Sequence, residues 1–157
     1  MKTSILTLAM ALALNCAYAQ SENNDLRAQL QKHYRQFDDS IRANDFQAFI
    51  SLFHPSYSEV DTQGRTRNFA QFKSLAKGMF DTQKDGKATS TVVHAQGGFG
   101  GEATAWVSVT MHFSTKVNGK WAPMKLTKRY ADTLKRTSLG WKFAYSQELP
   151  IDDPWPF

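Results

Sequence analysis

Cysteine is almost missing from this chain of 157 residues: there is one, Cys16. It lies in an N-terminal segment that has the three parts of a secretory signal. Lys2 supplies a positive start, Ile5 to Leu14 is apolar apart from Thr7, and Ala17-Tyr18-Ala19 places small residues where a signal peptidase reads. Asn15 stands where lipid attachment to Cys16 wants a small residue, so the expected cut follows Ala19. The remaining 157 − 19 = 138 residues then hold no cysteine. That excludes disulfides, thiolate catalysis and cysteine-based metal sites from the mature chain. A periplasmic or secreted location is compatible with this, because a disulfide is optional in a domain of this size.

Other signatures are missing as well. The apolar run of the signal is ten residues, where a membrane-spanning helix needs about 20. No later run is longer, so no integral membrane segment is expected. His33, His54, His94 and His112 show neither His-x-His nor His-Glu-x-x-His spacing, and no metal is expected. No Gly-x-Ser-x-Gly motif or Ser/His/Asp order marks a nucleophile. The run Gly97 to Gly101 has no following helix and no Lys-Ser/Thr, so it is not a phosphate loop. No cofactor is implied.

What is present is a basic, single-domain chain. Removing the signal takes one Lys, leaving 18 − 14 = +4. Lys125, Lys128, Arg129, Lys135 and Arg136 group together, with acids interspersed and no nucleic-acid motif. A solvated strand face explains them, and no nucleic-acid partner is expected. The expected division is signal 1–19, one domain over 20–149, and an extended proline-rich tail over 150–157.

Periodicity gives the elements. Leu26, Leu30, Tyr34, Phe37 and Ile41 predict an amphipathic helix over 24–43. Asp45 caps a second, with Phe46, Phe49, Ile50 and Phe53 as its stripe and His54-Pro55 as its end. A small hairpin follows, Tyr57 to Asp61 and Arg65 to Arg67. Asn68 caps a third helix bearing Phe69, Phe72, Leu75, Met79 and Phe80. After Gly86 come strands: Thr89 to Gln96, Ala103 to Val117, Trp121 to Arg136 and Trp141 to Leu149, with Asn118-Gly119 as a hairpin turn. Helices segregated from an antiparallel meander make an α+β fold.

The chain resembles the nuclear transport factor 2-like superfamily, in its SnoaL-like and ketosteroid-isomerase-like branch. The residues that carry this are Ile41 to Phe46, Ser51 to Tyr57, Asp61-Thr62-Gln63-Gly64, Arg129 to Thr133 and Gly140 to Phe143. The resemblance covers about residues 24–149. It implies a cone: three N-terminal helices packed on a strongly curved, mainly antiparallel sheet, often around an apolar pocket. It implies isomerases, dehydratases, hydrolases and non-catalytic domains alike, and dimers through the outer sheet face.

Strand alternation then selects candidates. In Ala103 to Val117 the odd positions, including Met111, face the pocket, while Trp106 and His112 face outward as a possible homodimer surface. In Trp121 to Arg136 the even positions face inward: Met124, Leu126, Lys128, Tyr130, Asp132 and Leu134. A carboxyl on that face must find a partner, reach water or stay protonated. Asp132 is therefore either a tuned acid or an Asp paired with Lys128, Tyr130 or a helix side chain. By the resemblance, Asp61 falls where ketosteroid isomerases carry their base and Asp132 where they carry a protonated oxyanion donor. Phe37 falls at the place of their oxyanion-binding tyrosine, and Tyr34, nearly a turn earlier, is the alternative. Asp61 also suits a turn, since it precedes Thr-Gln-Gly. The expected function is an exported domain that binds a small, mostly apolar molecule through Tyr34, Phe37, His54, Tyr57, Met111, Lys128 and Tyr130. The alternatives are an isomerase or lyase using Asp61 and Asp132, and a non-catalytic dimerisation module.

Overall fold

The computed structural model describes residues 24–97 and 99–157. The expected signal, 1–19, lies outside the described residues. In chain order the elements are a helix over 24–42 (α1), Phe46–Ser51 (α2), Phe53–Val60 (β1), Thr66–Asn68 (β2), Phe69–Thr82 (α3), Lys84–Gly97 (β3), Glu102–Val117 (β4), Lys120–Thr137 (β5) and Gly140–Leu149 (β6). The strands form one six-stranded sheet in the order β2-β1-β6-β5-β4-β3. Every neighbouring pair is antiparallel except β1 with β6. The sheet is curved and open, and the class is α+β.

The β4–β5 hairpin organises it. Asn118 and Gly119 adopt φ 51° and 79°, the left-handed pair that a two-residue turn needs to follow the twist of its strands. Val117 pairs with Lys120, and the ladder runs unbroken from there to Glu102 and Lys135. Along β4, Ala103, Ala105, Val107 and Val109 are buried while Thr104, Trp106, Ser108 and Thr110 are not. Leu30 and Tyr34 of α1 close the core against Val92, Val107 and Leu134.

Helix ends follow local chemistry. The Asp45 carboxylate accepts from Ala48 N at 2.9 Å. Asn68 and Gln71 form a reciprocal capping box, each side chain bonded to the other's backbone N–H at 3.0 Å.

Three elements differ from the expectation. α2 stops at Ser51, and His54-Pro55 lie in β1 instead of ending the helix. Phe143 N bonds Leu52 O at 3.0 Å, and this parallel pairing with β6 pulls the chain straight before the proline. The register shifts between Phe53 and Ser58, which lets Pro55 sit without a ladder donor. β3 begins at Lys84, before Gly86, through an irregularity where Asp85 takes φ 55°. A Cβ on Gly86 would meet Ile41 Cγ2 at 3.3 Å, so α1 crosses the strand closely there. The tail over 150–157, expected to be extended, bends at 151–153 and packs back on the domain.

Polar residues of α1 bond the backbone of β3. Arg27 Nε donates to Val92 O at 3.0 Å, and Gln31 bonds both Ser90 O and Val92 N at 2.8 Å. The Asp38 carboxylate accepts from Ser90 N at 2.9 Å and Ser90 Oγ at 2.6 Å.

Candidate functional site

Helices α1–α3 and the inner sheet face enclose a cavity of about 510 Å³, within the range of small-molecule pockets, about 300–1,000 Å³. One wall is aromatic: Phe37, Phe49, Phe53, Phe72 and Phe143. Their rings touch in series, with centroids 5.2 Å apart for Phe37–Phe49, 4.6 Å for Phe53–Phe72 and 5.0 Å for Phe53–Phe143. They line the space without filling it.

Polar groups enter at two levels. Deep in the site, the Tyr34 hydroxyl donates to Asp132 Oδ2. Asp132 is 4% exposed, and its Oδ1 is buried with no partner. Burial in apolar surroundings raises its carboxyl to about 6, against the opposing pull of the Ser146 and Tyr34 hydroxyls. The same burial, with the Asp132 charge beside it, pushes the Tyr34 phenol well above its ordinary value. Nearer the opening stand two ion pairs, Glu59 with Arg67 at 2.5 Å and Lys128 with Glu148 at 2.7 Å. Tyr57 OH donates to Glu59 Oε2 at 3.3 Å. Tyr57 and Tyr130 are both held strongly protonated by burial first and neighbouring carboxylates second.

The sequence-derived candidates divide accordingly. Tyr34, Phe37, Tyr57, Met111, Lys128, Tyr130 and Asp132 all line this cavity. Asp132 is paired neither with Lys128 nor with Tyr130. Its partner is the helix side chain Tyr34, and Lys128 is taken by Glu148.

Asp61 does not line the cavity. Its Oδ1 accepts from Gln63 N and Arg65 N, both at 3.0 Å, and its Oδ2 from Arg65 Nε at 2.7 Å. Those bonds outweigh burial and hold the carboxyl below its ordinary value. Asp61 is a turn cap, and the geometry removes it as the base facing Asp132. His54 also lies outside the lining, with Nδ1 2.7 Å from Ser56 Oγ. His112 is exposed and borders the opening.

Glu59, Arg67 and Glu148 were not among the expected site residues. Glu59 shares the strand parity of Tyr57, the one signal that marks it. Trp106 does face outward, yet its ring lies 5.7 Å from that of Phe157 of the same chain. Among the described residues, no three His, Cys, Asp or Glu side chains gather to hold a metal, and no helix is long and apolar enough to cross a membrane.

Comparison with known proteins agrees with this cone. Solved structures share the fold at low identity. A nuclear transport factor 2-like superfamily protein from Salmonella enterica serovar Typhimurium is 16% identical with TM-score 0.60, over 84% of this chain and 99% of that one. A ketosteroid isomerase-like protein from Erwinia carotovora atroseptica is 11% identical with TM-score 0.61, over 81% and 98%. A protein with a cystatin-like fold from Caulobacter vibrioides is 20% identical with TM-score 0.61, over 82% and 92%. At such identities the likeness concerns the fold alone. No curated protein matches. The fold and cavity thus define a nuclear transport factor 2-like cone. Within that class, the SnoaL-like domain pattern matches residues 30–148, and the chain belongs to this family.

Proposed function

We propose that the cavity binds a small, mostly apolar molecule that presents one hydrogen-bond acceptor to Asp132. The observation that carries this is the deep Asp132–Tyr34 pair, whose Oδ1 has no partner beside an open aromatic wall. A buried polar atom without a partner is unfavourable by about 1–3 kcal/mol. A ligand carbonyl or ether oxygen accepting from the protonated carboxyl relieves that deficit, while the apolar body of the ligand lies against the phenylalanines. The features of residues 1–19 support an exported protein, so the ligand belongs outside the cytoplasm.

The test compares 1-tetralone, an apolar bicyclic ketone, with naphthalene by calorimetry. The ketone binds better at pH 5, where Asp132 is protonated, and loses that advantage by pH 8. Asp132→Asn, which keeps a donor at every pH, holds the advantage at both. Equal binding of the two probes at pH 5 and pH 8 overturns the reading.

A second reading is favoured by the same carboxyl, because an acid near pH 6 is suited to proton transfer at neutral pH. In it the domain is an isomerase or lyase-type enzyme with Asp132 as the acid. Exchange of the α-protons of bound 1-tetralone with D2O, followed by NMR, decides it. Catalysed exchange that Asp132→Asn abolishes supports the enzyme, and no exchange leaves binding alone.

A further inference from the structure

On the outer sheet face, away from the cavity, the tail over 150–157 is bound as a ligand would be. Arg129 of β5 points outward yet is 7% exposed, because the tail covers it. Its Nη1 donates to the carbonyls of Pro150 at 3.2 Å, Ile151 at 2.9 Å and Asp153. Its guanidinium lies 3.7 Å from the centre of the Trp155 ring, a stacked cation–π contact. Phe157 then stacks on His94 at 4.5 Å and meets Trp106 at 5.7 Å. Two aromatic rings and three carbonyls of one segment are thus read by one arginine and one His–Trp pair.

Charge matches as well. Outward positions from Thr104 to Thr110 on β4 and from Lys125 to Thr133 on β5 carry no carboxylate, while Lys125 and Arg129 are basic. The tail brings Asp152 and Asp153.

The fit is incomplete. A guanidinium NH₂ has two hydrogens, yet Nη1 serves three carbonyls while Nε is buried with no partner. Phe157 remains 60% exposed and Ile151 51% exposed. A segment seated slightly differently would use the idle donor.

We infer that this outer face is a recognition surface for a bent acidic segment with a proline-flanked aromatic pair, held shut in the free protein by the chain's own residues 150–157. The occupant is a segment of another protein with that chemistry, and the tail is its internal placeholder.

The probe is a labelled synthetic peptide, Pro-Ile-Asp-Asp-Pro-Trp-Pro-Phe, titrated by fluorescence anisotropy into the full chain. The wild type binds it weakly because its own tail competes. The full-length Trp155→Ala/Phe157→Ala variant binds it at least about tenfold more tightly, and adding Arg129→Gln removes that gain. Phe157→Ala alone, a milder change, gives an intermediate gain and serves if the double variant does not fold. Equal binding by wild type and variants overturns the inference. So does equal binding of a scrambled peptide of the same charge. A double variant that forms dimers and ignores the peptide also overturns it, by making a second copy the occupant.

Discussion

Asp132 and Arg129 stand three residues apart on one strand, face opposite ways, and are both buried. The inner group has the Tyr34 and Ser146 hydroxyls beside it and no counter-ion, so burial prevails and favours the neutral acid. The outer group cannot shed its proton, and it is covered by carbonyls and an indole that suit a cation. A strand can therefore bury charge in two ways: by giving the charge up, or by wrapping it in acceptors. The first leaves a pH-sensitive site and the second a pH-insensitive one.

The largest effect should come from Asp132→Asn. The carboxyl is raised from 3.8 to about 6 in the folded state. The folded state therefore holds its proton more tightly than the unfolded one. The stability this gives is complete below about pH 4 and is lost as pH rises through about 6. The variant should match wild type near pH 4 and exceed it by on the order of 3 kcal/mol at pH 8. Urea midpoints at the two pH values measure this, and an unchanged difference between them breaks the contrast with Arg129.

His33 gives the opposite slope. Burial first, with the Lys142 charge adding to it and a Gln36 hydrogen bond opposing it, lowers its imidazole from 6.5 to about 4. Its contribution is present above pH 6.5 and is lost as pH falls through about 4. His33→Gln should remove that contribution, about 3 kcal/mol between pH 7 and pH 4, and leave the Asp132 slope unopposed. Since the two groups slope against each other between about pH 4 and 6, wild type should be nearly flat there, each single variant should tilt in the direction of the group it keeps, and the double variant should be flat again.

Arg129→Gln should cost about 2 kcal/mol, equally at pH 5 and pH 8, by the same denaturation. A smaller change follows Tyr34→Phe. Losing the donor to Asp132 should destabilise by about 1 kcal/mol and move the Asp132 carboxyl ¹³C titration to higher pH. Least of all, Asp61→Asn should leave 1-tetralone binding within about twofold of wild type, because that carboxylate serves its own turn.

Much of this was legible because it is local. Asn118-Gly119, the caps Asp45 and Asn68, and the alternation along β4 each depend on residues a few positions apart. The inward parity of Asp132 was legible for the same reason. What was hidden is long-range. His54-Pro55 reads as a helix end until β6 arrives to pair with Leu52 and Phe53. Asp61 fits a turn and a catalytic base equally well in sequence, and only its three hydrogen bonds decide. The Tyr34–Asp132 bond spans 98 positions, and the docking of Trp155 on Arg129 leaves no periodic trace.

The polar stripe of α1 has a further consequence for how the chain behaves in a crowd. β3 is an end strand of 14 residues, long enough to recruit the edge of another molecule and seed fibrils. The other end strand, β2, has three residues, too few to do so. Arg27, Gln31 and Asp38 occupy backbone groups of β3 that an incoming strand would need. The helix that shapes the cavity thus also acts as a guard against polymerisation.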